Sequence, residues 1–117
     1  MLALSLTSCA SNYIPAPKVL KQIKNIPYKE PNMVCWHKSL AYHNYLKFSG
    51  IESRVVVGYC YENKIGTNHA WVEVKKDGEW YVIDPTDTNF DDGYKAKYYD
   101  MILKGKRQRT KRRIVRE

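Results

Sequence analysis

Alternating apolar and polar residues mark the centre of the chain as a β-hairpin. The run HAWVEV at 69–74 alternates, EWYVID at 79–84 returns, and Asp77-Gly78 lies between them. Asp-Gly between two such runs is a strong short-range signal for a tight turn. Pro85 has no N–H to donate and ends the second strand. A β-branched run further upstream predicts another strand over residues 54–60.

Two segments ahead of these strands are predicted to be helical. Apolar residues at near-helical spacing predict a short helix within residues 18–31. A longer helix is predicted to follow, with Asn32 as its N-cap. Cys35 then lies in the first turn, and Gly50 lies where a helix end favours positive φ. Helices followed by a hairpin predict an α+β domain, in which a helix packs on a small antiparallel sheet.

Composition limits the class of protein. The chain has 117 residues, of which 44% are hydrophobic and 13% aromatic, so one packed domain is expected and a disordered chain is excluded. No apolar run approaches the roughly 20 residues that a membrane-spanning helix needs. Three cysteines are too few for a disulfide scaffold.

The net charge of +8 belongs mainly to the C-terminal segment. Residues 104–117 hold eight of the 20 Lys and Arg residues and one of the 12 acidic residues, which leaves residues 1–103 with a net charge of only +1. The segment is predicted to be a basic tail, which either contacts an anionic surface or serves as a solvated end. It has no aromatic residue for base stacking, so nucleic acid is not favoured as a partner.

The N-terminus has features of an export signal. Residues 1–8 are mostly apolar, and Leu6-Thr7-Ser8-Cys9 resembles the lipobox of bacterial lipoproteins. The resemblance implies lipidation of Cys9 and membrane anchoring at the cell envelope, with residues 1–17 as signal remnant and tether. No Lys or Arg precedes the apolar run, and eight residues are few for a signal. A chance apolar N-terminus is therefore the alternative, and it leaves the location of the protein open.

Cys35 is the first candidate for chemistry. A thiol has an ordinary pKa of about 8.5 and is a poor nucleophile until it loses its proton. The positive end of a helix dipole and the free N–H groups of the first turn lower that pKa. The alternative role for Cys35 is that of a small buried hydrophobic residue.

His69 and Asp84 are predicted to lie on one face of the hairpin because they are 15 residues apart. They are directly opposite if the turn is centred on residues 76–77, and one diagonal step apart if it is centred on residues 77–78. Either position allows a His–carboxylate hydrogen bond. Together with Cys35 they would form a Cys–His–Asp triad. Spacing leaves open the alternative of a half-exposed histidine and a turn aspartate.

Four sequence blocks carry a resemblance to a known family. They are C-x-x-x-S-x-A from Cys35, GIESRVVVGY at 50–59, HAWVEV at 69–74 and WYVIDPT at 80–86. Their order and spacing resemble the transglutaminase-like superfamily, which has a papain-like core. The resemblance implies a transglutaminase-like domain over residues 18–103.

The resemblance also implies a mechanism. Cys35 is then the nucleophile, His69 the base and Asp84 the residue that orients the base. The expected function is thiol-dependent acyl transfer on peptide or protein amides, with hydrolysis favoured over cross-linking to an amine. No cofactor or metal is expected. The alternative is a catalytically silent domain that keeps the fold and binds a peptide or another partner.

Other readings of these residues are disfavoured. A Cys–His cell-wall hydrolase of a different family would have Asp-Cys-Ser-Gly at the nucleophile, whereas Cys35 lies in Val-Cys-Trp. A zinc site of Cys35, His37 and His69 is disfavoured because Cys-x-His on a helix points the two side chains to different faces.

Several further residues receive minor predicted roles. Trp36 and Gln22 are candidate oxyanion donors. Trp71 and Trp80 are predicted to wall off the His–Asp pair. His43 is predicted to be a surface or boundary residue, and the acidic segment 86–93 a loop.

Overall fold

The computed structural model describes residues 12–29, 34–62, 65–88, 90–96 and 112–117. Within these ranges two helices accompany one five-stranded antiparallel sheet with the strand order β4-β3-β2-β1-β5. The elements are α1 (Pro17–Asn25), α2 (Cys35–Phe48), β1 (Ser53–Glu62), β2 (Ile65–Lys76), β3 (Glu79–Ile83), β4 (Tyr94–Lys95) and β5 (Arg112–Arg116). The predicted α+β class is confirmed.

The hairpin of β2 and β3 follows the sequence pattern closely. Lys76 pairs with Glu79, so the two turn residues are Asp77 and Gly78. Both have positive φ, 53° and 80°, as a two-residue turn of this kind requires. The turn is therefore centred on residues 77–78. Of the two predicted registers, this one places His69 and Asp84 a diagonal step apart.

The core lies on both faces of the sheet. One buried cluster joins α1 and α2 to β2 and β3, and it consists of Leu20, Ile23, Tyr42, Leu46, Val72, Val74 and Ile83. A second cluster, on the opposite face of the sheet, consists of Val56, Trp71, Val82 and Ala96, with Trp80 and Phe90 packed against it. Alternate residues of β2 enter the two clusters, which explains why residues 70–74 are all buried.

The start of α2 differs from its prediction. The helix begins at Cys35, and Val34 rather than Asn32 is its N-cap. Asn32 lies outside the described residues. Valine has no side-chain acceptor, so no side-chain cap satisfies the first N–H groups of the helix. These groups are therefore available to whatever lies at the helix start.

Part of the predicted N-terminal tether packs on the domain. The Tyr13 ring meets the Tyr81 ring edge-on, with 5.5 Å between centroids. The Tyr13 N–H donates to the Gly93 carbonyl at 3.2 Å. Gly93 has a φ of 95°, and a Cβ there would lie 2.7–2.9 Å from atoms of Asn12 and Tyr13. Only glycine allows this close approach. Cys9 lies outside the described residues, and the boundary at residue 18 stays a prediction.

Part of the segment predicted to be a basic tail is a strand. Residues Arg112–Arg116 form β5 and pair antiparallel with β1, with Ile114 opposite Val56. The strand was missed because its charge dominated its pattern, yet charged residues are typical of edge strands. Among the described residues, no helix is long and apolar enough to cross a membrane.

Candidate active site

Cys35 is the first residue of α2 and is partly buried. A hydrogen bond from the His69 ring lowers the pKa of the thiol, while burial raises it. Hydrogen bonds from the main chain of Ala70 and Trp36 lower the pKa further, and the net direction is downward. The uncapped start of α2 explains the Trp36 contribution, because that N–H has no carbonyl partner within the helix. A larger fraction of this thiol is therefore ionised than in an ordinary cysteine.

His69 lies between Cys35 and Asp84. Its Nε2 atom is 2.6 Å from the Asp84 Oδ2 atom, and its side chain is 24% exposed. Because Nε2 is engaged by the carboxylate, Nδ1 is the nitrogen left to face the thiol. The structure thus brings together the three residues that the sequence singled out.

The pKa of His69 is raised to about 10. Burial alone would lower it, but the hydrogen bonds to Asp84 and Cys35 favour the protonated ring more strongly. A lowered thiol pKa beside a raised imidazole pKa favours the thiolate–imidazolium pair. That pair is the reactive form of a cysteine nucleophile.

Asp84 is held by the turn that follows it. Its Oδ1 atom accepts hydrogen bonds from the N–H groups of Thr86, at 3.0 Å, and Asp87, at 3.3 Å. The N–H of Asp84 itself donates to the Oδ1 atom of Asp92 at 2.7 Å. One carboxylate oxygen is therefore occupied by the loop, and the other points to His69.

The helix and the sheet are joined beside the site. The Ser39 hydroxyl donates to the Ala70 carbonyl at 3.2 Å. The Trp71 ring stacks near the His69 ring, with 6.1 Å between centroids and 29° between planes. Trp71 therefore lies beside His69, as predicted.

Two predicted positions are wrong. Trp80 does not wall off the site: it pairs with Lys75 near the hairpin turn, roughly 20 Å along β2 from His69. His43 is not a surface residue. It is buried, and its Nδ1 atom is 2.7 Å from the Ser53 hydroxyl. Helix α2 is covered on this side by the start of β1, which its own sequence does not reveal. A cleft of about 410 Å³ borders His43 and Trp80, and its lining does not include Cys35, His69 or Asp84.

The predicted accessory donors have different positions. Trp36 contributes its main-chain N–H at the sulfur. Gln22 is exposed on α1, and no contact among the described residues links it to Cys35. Within the same part of the chain, no group of three or more His, Cys, Asp or Glu residues is placed to hold a metal.

Three residues near the site were missed by the sequence reasoning. Lys24, Lys38 and Asp92 form a charged cluster next to Asp84, in which Lys38 and Asp92 are buried and Lys24 is partly buried. The sequence placed Asp92 in an acidic loop and gave the two lysines no role. A charged residue in a predicted helix or loop is expected to be exposed to solvent. The neighbouring sequence does not indicate which charged residues are buried.

Comparison with known proteins supports one family. Residues 14–85 match the sequence model of the transglutaminase-like superfamily. The matched range contains Cys35, His69 and Asp84, and it confirms the resemblance carried by the four sequence blocks. No curated protein and no solved structure matches the chain.

Proposed function

The chain belongs to the transglutaminase-like superfamily, and we propose that it is a thiol-dependent acyl transferase acting on amide bonds of peptides or proteins. One observation carries the proposal: the continuous hydrogen-bonded series from the Cys35 thiol through His69 to Asp84. Nucleophile, base and orienting carboxylate are the parts that acyl transfer by cysteine needs.

The first half of the reaction forms a thioester. The Cys35 thiolate attacks the amide carbonyl carbon, and the electrons of the C=O bond move to oxygen. Main-chain N–H groups at the open start of α2 are the donors that we assign to this oxyanion. When the intermediate collapses, the C–N bond breaks and the His69 imidazolium gives its proton to the departing amine. Asp84 keeps the ring oriented throughout.

The second half releases the acyl group. Neutral His69 takes a proton from water, and the resulting hydroxide attacks the thioester carbon. The C–S bond breaks, which leaves a carboxylic acid and restores the thiolate beside the imidazolium. We propose hydrolysis as the main reaction because the His69 side chain is 24% exposed, which gives water access. An amine in place of water would give a cross-linked amide.

The test is mass spectrometry of peptide libraries after incubation with the full chain. Cleaved, deamidated and cross-linked peptides have distinct masses, so one experiment separates water from amine as the acceptor. Wild-type protein is expected to give products that the Cys35→Ala variant does not. Identical product patterns for the two proteins would contradict the proposal.

A second measurement separates the enzyme from a silent binding domain. Peptide-level mass spectrometry gives the rate at which iodoacetamide alkylates Cys35 at neutral pH. The proposal expects a rate well above that of the same cysteine in urea-denatured protein, because more of the folded thiol is ionised. Equal rates, together with a peptide library left intact, favour the silent domain.

The N-terminal sequence supports a proposal on location. We propose that Cys9 carries a lipid, which would anchor the protein at the cell envelope and allow the basic C-terminal residues to contact anionic surfaces. The support is Leu6-Thr7-Ser8-Cys9. A Cys9→Ala variant is expected to move from the membrane fraction to the soluble fraction of the producing cell. An unmodified Cys9 in the mass of the N-terminal peptide would overturn this.

A further inference from the structure

Lys24 forms an ion pair with a buried carboxylate next to the proposed site. Its Nζ atom is 2.6 Å from the Oδ2 atom of Asp92, and the two side chains are 11% and 6% exposed. The other oxygen of the same carboxylate accepts the N–H of Asp84 at 2.7 Å. Asp92 therefore links Lys24 directly to the main chain of the residue that orients His69.

Lys24 also holds the near end of the loop. Its ammonium donates to the Asp87 carbonyl at 2.7 Å. The Asp87 N–H in turn donates to the Asp84 carboxylate at 3.3 Å. One side chain of α1 thus contacts the loop both three and eight residues after Asp84, so it constrains the carboxylate from two directions.

Lys38 connects this cluster to the helix that carries the nucleophile. It lies three residues after Cys35, about one turn along α2, and it is 2% exposed. Its ammonium donates to the main-chain carbonyl of Lys24 at 3.2 Å. Burial lowers the pKa of Lys38, whereas the nearby Asp84 charge opposes that shift. The last turn of α1 is therefore joined to α2 on one side and to the loop after β3 on the other.

We propose that Lys24, together with Lys38 and Asp92, is a positioning element that sets the place of Asp84 relative to Cys35. The inference rests on the proposed function and extends it. The nucleophile comes from α2 and the carboxylate from the end of β3. A triad tolerates little displacement, since a shift of about 1 Å costs on the order of 10²-fold in rate. Lys24 is the residue that contacts both α2, through Lys38, and the loop after β3.

A purely structural ion pair is the competing explanation. Buried ion pairs contribute little net stability relative to apolar replacements, because desolvation offsets the Coulomb attraction. Stability measurements therefore do not decide between the two roles. The reactivity of Cys35 does distinguish the two roles. A displaced Asp84 no longer stabilises the protonated His69 ring, and the Cys35 thiolate then loses the positive charge beside it.

The test measures how the alkylation rate of Cys35 by iodoacetamide depends on pH. It uses the full chain and peptide-level mass spectrometry, so that other cysteines do not interfere. Lys24→Met is expected to cut the alkylation rate at neutral pH by roughly tenfold or more. It is also expected to move the midpoint of the plot of alkylation rate against pH to a higher pH. Lys24→Arg keeps the charge and is expected to restore most of the rate. Lys21→Met, at an exposed position of the same helix, is the matched control and is expected to match wild type.

A double variant addresses the folding of the single one. Lys24→Met combined with Asp92→Leu leaves no uncompensated buried charge, and circular dichroism reports whether it folds. A folded double variant with a raised midpoint supports the positioning role. Folded single or double variants with the wild-type pH profile overturn it. A wild-type Cys35 that reacts like an ordinary thiol would instead overturn the proposed function itself.

Discussion

Two ion pairs, each with its carboxylate on the β2–β3 hairpin, differ in what their cation can do. Asp84 pairs with His69 at 2.6 Å, and Glu73 pairs with Arg54 at 2.8 Å. Both carboxylates are nearly or completely buried. The first pair ends at a partly exposed thiol, whereas the second is enclosed by aromatic rings.

The partners explain the difference. A guanidinium is a permanent cation in proteins, and that of Arg54 lies 3.8 Å above the Trp80 ring. The Trp71 indole N–H donates to the other oxygen of Glu73 at 3.2 Å. That arrangement holds a fixed charge in place. His69 can exchange its proton, so a pair of similar geometry can take part in catalysis. Burial of a carboxylate alone therefore does not identify a site, whereas a titratable partner next to a nucleophile does.

The largest expected effect comes from removing the carboxylate of the His69–Asp84 pair. Asp84→Ala is expected to lower the acyl-transfer rate by about 10²–10⁴-fold, because His69 loses both its orientation and its stabilised proton. Asp84→Asn keeps the shape of the side chain but removes its charge, so it should lose about as much, because His69 is then held in the wrong tautomer. The measurement is kcat/KM on a peptide identified from the library. Glu73→Gln is the control, and an equal loss there would remove the distinction between the pairs.

The next effect is on stability and concerns the other pair. Glu73→Ala leaves Arg54 without its carboxylate and the Trp71 N–H without this acceptor. We expect unfolding to become easier by about 3–5 kcal/mol in urea titrations, with the pH profile of Cys35 alkylation unchanged in the folded protein. Arg54→Met combined with Glu73→Leu should regain most of the loss. A loss below about 1 kcal/mol, typical of surface pairs, would show that the pair is not buried in solution.

A smaller effect is the pH dependence of stability from His69. Its pKa is raised from 6.5 to about 10 on folding, so folding takes up a proton between these values. The stabilisation is complete below pH 6.5 and is lost as the pH rises toward about 10. The thiol contributes with the opposite sign, since its pKa is lowered. The free energy of unfolding is therefore measured in the Cys35→Ala variant, in which Asp84 still raises the pKa of His69.

In that background the free energy of unfolding should fall as the pH rises above about 6.5. Adding Asp84→Asn should flatten the slope. A slope that is equally steep with and without the carboxylate would assign the pH dependence to other groups.

The smallest expected effect is at an exposed pair. Lys75 and Glu52 are 3.9 Å apart, and their side chains are 38% and 65% exposed. Lys75→Ala should change the stability by about 0–1 kcal/mol, because solvent screens the charges. Thermal unfolding with and without added salt checks this value. A larger loss would show that Lys75 acts through its contact with the Trp80 ring instead.

Local pattern predicted the hairpin and its turn well, because both depend on residues a few positions apart. It predicted α2 but misplaced its start, since Val34 offers no capping signal. The three candidate site residues followed from spacing and from the family resemblance. The sequence is compatible with a turn centred on residues 76–77 or on residues 77–78. Only the observed turn showed that His69 and Asp84 are a diagonal step apart.

Residue types, their periodicity and the Asp-Gly turn determined the α+β class and the positions of Cys35, His69 and Asp84 in their elements. Tertiary structure alone decided that Lys24 reaches Asp87, 63 residues away, that His43 is buried, and that β5 completes the sheet beside β1. The physical reason is the range of the interactions. Periodicity reflects neighbours within a turn or a strand, whereas a charge buried between distant segments depends on how the whole chain packs.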